Sequence, residues 1–93
     1  METVYMIPGL GAQSSIFEKL MFQNCQMVHV RWIEPQKKES LSSYANRLLE
    51  QIPNNASNIV GLSFGGMLAS EMALLRPNAK VVIISSCSHA LQL

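Results

Sequence analysis

Gly61-Leu62-Ser63-Phe64-Gly65 sets a serine midway between two glycines, and Gly66 follows at once. This Gly-x-Ser-x-Gly pattern suits acyl chemistry when it joins a strand to a helix. A sharp turn there lifts the Ser63 hydroxyl clear of the sheet. The small residues on either side let neighbouring backbone pass close by. The helix that follows turns its positive end toward developing negative charge. The N–H of Phe64, next after the serine, is free to bond an oxyanion. With 5 Gly in 93 residues the pattern is expected by chance about 0.03 times.

An oxyanion hole needs a second amide, normally from a loop that follows a neighbouring strand. Pro8-Gly9-Leu10-Gly11 stands in such a place, and Leu10 N–H is the candidate donor. The non-catalytic alternative is a pair of tight glycine turns, with Ser63 capping a helix.

The elements needed to position these groups are legible along the chain. Val4-Tyr5-Met6-Ile7 reads as a buried strand ended by the first glycine turn. Ser14 or Ser15 can cap a short helix whose inner face holds Ile16, Phe17 and Leu20. Residues 27–32 read as a second strand. Leu41, Tyr44, Ala45, Leu48, Leu49 and Ile52 form one apolar stripe at helical spacing, with Ser40 as N-cap and Pro53 as stop. Residues 58–60 make a third strand, 67–75 a helix, and 80–84 a fourth strand; residues 85–93 show no clear element. Alternating strands and helices predict an α/β domain spanning 1–93. Right-handed crossovers then give a parallel sheet of about four strands in the order 2-1-3-4, with three helices. Both glycine turns fall at its topological switch point, where such sheets bind ligands.

The residues Ile7-Pro-Gly-Leu-Gly-Ala-Gln-Ser-Ser-Ile-Phe17, the helix around Tyr44 and Leu48-Leu49, and Ile59-Val-Gly-Leu-Ser-Phe-Gly-Gly-Met67 are together similar to the N-terminal part of an α/β-hydrolase. The resemblance covers most of residues 4–86. It implies that Ser63 is the nucleophile, that Leu10 and Phe64 donate to the oxyanion, and that Gly9, Gly11, Gly61, Gly65 and Gly66 shape the two turns. It also implies a small-molecule acyl substrate and no cofactor. The family's acid and histidine normally lie beyond the fourth strand. Here no Asp occurs anywhere, and Glu71 is the sole acid after Ser63. His89 is the one histidine after it and the only candidate base in the family's chain order. The expectation is a truncated hydrolase, nearly inert alone.

Composition narrows the alternatives. The net charge is +1, and charged residues are 14% of the chain. No basic stripe exists beyond Lys37-Lys38, so nucleic-acid binding is not expected. No apolar run is long enough to span a bilayer, and no signal peptide is visible, which makes a cytoplasmic location the expectation. Cys25 and Cys87 do not make a disulfide framework. With His29 and His89 they do not make a convincing metal site. Two other functions compete. One is a non-catalytic interaction module, self-associating through the flat apolar strand of residues 81–84 as an open edge; one sheet face is also expected to be half bare. The other is a dinucleotide-binding βαβ unit, with Gly9-x-Gly11-x-x-Ser14 as a degraded fingerprint and Arg31 near a 2′-phosphate.

Overall fold

A computed structural model describes residues 2–9, 24–62, 64–86 and 89–92. Among these, β1 spans Thr3–Ile7, β2 Gln26–His29, α1 Leu41–Leu48, β3 Asn58–Leu62, α2 Phe64–Leu75, β4 Lys80–Ser86 and β5 His89–Gln92. A 3-10 turn, Leu49–Gln51, prolongs α1. The strands form one sheet in the order β2-β1-β3-β4-β5. The first four are parallel, in the order expected from right-handed crossovers. β3 runs further than its apolar core, taking in Gly61 and Leu62, and α2 starts at Phe64 rather than at Met67.

Two features differ from the expectation. The described residues hold two α-helices, not three; the expected first helix falls in residues 10–23, outside the described residues. The end of the chain also contains a strand. β5 pairs antiparallel with β4, aligning Ile84 with Ala90 and Ile83 with Leu91. β4 is therefore an interior strand, and the predicted open edge at residues 81–84 does not exist. The backbone groups that would have templated self-association there are already bonded to β5.

Side-chain alternation along the strands builds two cores. On one face Ile7, Ile59 and Val81 pack against the apolar stripe of α1 (Ala45, Leu48, with Leu49 and Ile52 beyond it) and against Leu68, Ala69 and Met72 of α2. The other face carries Val4, Met6, Val60, Leu62 and Ile84, none more than 6% exposed, with Cys25 and Met27 packed against them. This face is buried, not half bare. α1 begins where Ser40 Oγ accepts the Ser43 N–H at 3.0 Å, as the sequence indicates.

Candidate functional site

The β3–α2 junction is built by close packing around glycine. An alanine methyl at Gly61 would lie 2.7 Å from both Gly66 Cα and Ala69 Cβ, and nearer still to the Gly65 carbonyl oxygen. One at Gly65 would run into the Ile7 carbonyl group at the end of β1. One at Gly66 would lie 2.5 Å from Ile83 Cγ2. The first turn of α2 thus rests directly on the C-terminal ends of β1, β3 and β4. No other residue type fits these three positions without movement, since real Cβ contacts do not come this close. β3 ends at Leu62 and α2 begins at Phe64.

Ser63 itself lies outside the described residues, as do Leu10 and Gly11. Gly9 follows β1 and is half-buried. Phe64 is the first residue of α2, so its N–H has no intrahelical carbonyl to meet. The first turn of α2 carries no acidic side chain to neutralise the helix's positive end. Gly61, Gly65 and Gly66 are all buried. The structure therefore brings together the C-terminal ends of β1 and β3 and the N-terminus of α2. His89 opens β5, opposite Ser86 and at the C-terminal end of the sheet, but two strands away from β3. Glu71 is half-buried along α2, and His29 is exposed on the edge strand β2.

Beside this junction lies an apolar groove of about 260 Å³, lined by Trp32, Pro35, Glu39, Ser40, Leu41, Tyr44 and Phe64. The Trp32 and Phe64 rings stack with centroids 5.8 Å apart and planes at 24°. Both rings remain over a third exposed, at 37% and 41%. Sequence reasoning missed this groove. Its one signal was that three of the chain's six Phe, Tyr and Trp residues meet there.

The groove's walls are fixed by hydrogen bonds to the segment after β2. The Tyr44 hydroxyl donates to Ile33 O at 2.7 Å and accepts the Ile33 N–H at 3.1 Å. The Gln51 side-chain amide repeats this double bond on Arg31, at 2.8 Å each way. Arg47 Nη2 donates to Glu34 O. A turn with Lys38 at φ 59° folds Glu39 back on this segment.

Glu39 is the one carboxylate among the described residues that line the groove. Its Oε1 accepts from Gln36 N–H and from Arg47 Nη1, and its Oε2 accepts from Ser43 Oγ. The Gln36 N–H holds the carboxyl below the ordinary carboxylate value, against the desolvation that raises it; Arg47 and Ser43 add to the lowering. A depressed folded value stabilises the fold above the unfolded value near 4.5. That contribution is lost as pH falls through the lower folded value. Glu39→Gln should therefore flatten the acid limb of a melting-temperature profile below pH 4.5.

Among the described residues no three His, Cys, Asp or Glu side chains are grouped as a metal site would require, and no helix is long and apolar enough to cross a membrane. No family model, curated protein or solved structure matches the chain.

Proposed function

We propose that this chain carries the nucleophile and oxyanion portion of a serine hydrolase of the α/β-hydrolase kind, acting on ester, thioester or amide bonds. The observation that carries this reading is the glycine packing at positions 61, 65 and 66, on either side of Ser63 in sequence, which brings a strand, a helix N-terminus and the end of β1 within backbone contact. This convergence suits a nucleophile, whose reacting atom must sit beside free amide N–H groups at a helix mouth.

In this reading the Ser63 oxygen attacks the substrate's acyl carbon, and its proton passes to a base. The carbonyl oxygen becomes an oxyanion held by the N–H groups of Phe64 and Leu10. Collapse of that intermediate expels the alcohol, thiol or amine and leaves an acyl group on Ser63. Water then releases the acid. Acyl transfer by this route uses a hydroxyl, two amides and a base, and calls on no cofactor.

With imidazole supplied as the base, a fluorophosphonate probe tests the reading without requiring turnover. The expected result is a single phosphonylated peptide containing Ser63, absent from Ser63→Ala. Label spread over many serines, or a Ser63→Ala protein labelled as fast as wild type, would overturn it.

A further inference from the structure

We propose that the groove between Trp32, Tyr44, Leu41 and Phe64 binds a small, uncharged apolar group of the substrate. This inference rests on the hydrolase reading above and names the substrate class for that site.

The argument starts from position. Phe64 is at once a wall of the groove and the residue bonded to Ser63. Ser63 and Phe64 are bonded neighbours, with Cα atoms about 3.8 Å apart, which makes the groove a candidate place for part of the substrate. The lining chemistry sets the type of group. Trp32, Pro35, Leu41, Tyr44 and Phe64 offer rings and methyls. The Tyr44 hydroxyl is already committed to both backbone polar groups of Ile33.

Charge is settled by Glu39. Its carboxylate is bonded to Gln36 N–H, Arg47 and Ser43, so it offers no free acceptor to a cationic ligand. Its partner Arg47 is held in turn by Glu39 and Glu34 O, which removes it as a receptor for an anion. What remains is a neutral slot. Its volume, about 260 Å³, falls just below the ~300–1,000 Å³ of pockets that hold drug-sized ligands. That size suits a short alkyl chain or a single aromatic ring. The stacked and exposed Trp32 and Phe64 rings leave apolar surface in water, which such a group would cover.

Trp32 is the chain's only tryptophan, so its fluorescence reports on the groove directly. Titration with 2-octanone, a neutral ketone that mimics an ester carbonyl without a leaving group, should give a saturable change. The matched carboxylate, octanoate, should bind more weakly. Phe64→Ala, at an exposed position that keeps its backbone N–H, should weaken ketone binding about tenfold, the value of one buried ring. Its melting curve, unchanged from wild type, shows that the fold is intact. Ser63→Ala should bind the ketone as wild type does.

Absence of any saturable response to the ketone overturns the groove assignment, whether or not Ser63 takes the fluorophosphonate. Equal binding by Phe64→Ala and wild type overturns it as well. A protein that binds the ketone but never takes the label, even with imidazole supplied, instead overturns the hydrolase reading, and with it the designation of the bound group as part of a substrate.

Discussion

Gly65→Ala is expected to destabilise the protein by about 3 kcal/mol or more, at the upper end of what a single added methyl costs. The new methyl would enter the space of the Ile7 carbonyl oxygen and carbon, with Ile7 Cγ2 at 3.0 Å. Two of these three atoms are backbone of an interior strand, bonded on both sides to its neighbours, and they have no rotamer to change. Relief requires α2 to lift away from the sheet, which would open the core around Leu68, Ala69 and Met72. Gly66→Ala is the control. Its methyl meets Ile83 Cγ2, a branch methyl that moves by rotation of a half-buried side chain, whereas the Gly65 clash is with backbone. The residual clash there is offset by about 1 kcal/mol of better helix propensity, since alanine is favoured over glycine inside a helix. The two variants differ by one position and one methyl, so composition cannot explain a difference between them. Urea unfolding followed by circular dichroism should show Gly66→Ala within about 1 kcal/mol of wild type and Gly65→Ala far below it. Equal midpoints would mean that the helix does not sit on β1 as described. A domain of this size holds only about 5–10 kcal/mol in total, so the larger loss is a large share of it.

The parts of the molecule that could be read from the sequence are those whose causes are local. Short continuous apolar runs announce β1, β3 and β4, and the stripe from Leu41 to Ile52 announces α1. The glycines around Ser63 were legible because their steric reason, close approach of backbone, falls within one short segment. β5 was not legible. His89-Ala90-Leu91-Gln92 has neither a strand-like alternation nor β-branched residues, and it becomes a strand through its register with Val82, Ile83 and Ile84. A pairing partner supplies that information, and the segment itself does not. The same holds for the groove. Trp32 follows β2, Leu41 and Tyr44 lie on α1, and Phe64 opens α2, so no window of sequence contains them together. Glu39 looks like a solvated loop charge in sequence; its neutralisation depends on Arg47, eight positions on, turning back toward it.

β5 also bears on how Ser63 could be activated. His89 is the candidate base by chain order, and β5 brings its backbone to the C-terminal end of the sheet. The β3 and β5 backbones are nevertheless two strand spacings apart, ~10 Å. A hydroxyl and its base must come within about 2.6–3.2 Å. His89→Ala is therefore expected to leave the rate of Ser63 phosphonylation within about twofold of wild type, whereas removing a working base would slow it by about 10²–10⁴. Free imidazole should then supply the missing base. The labelling rate should rise linearly with imidazole, by about tenfold or more at molar concentration, and only in proportion to its neutral form. That fraction grows as pH passes the imidazole value, about 6.5 for a histidine side chain. Even so, recovery stays partial, because a positioned base acts with an effective concentration of about 10⁵–10⁸ M. Ser63→Ala should show no imidazole dependence. If His89→Ala instead slows labelling by two orders of magnitude and imidazole restores it, His89 is the base, and β5 is the element that delivers it to the nucleophile.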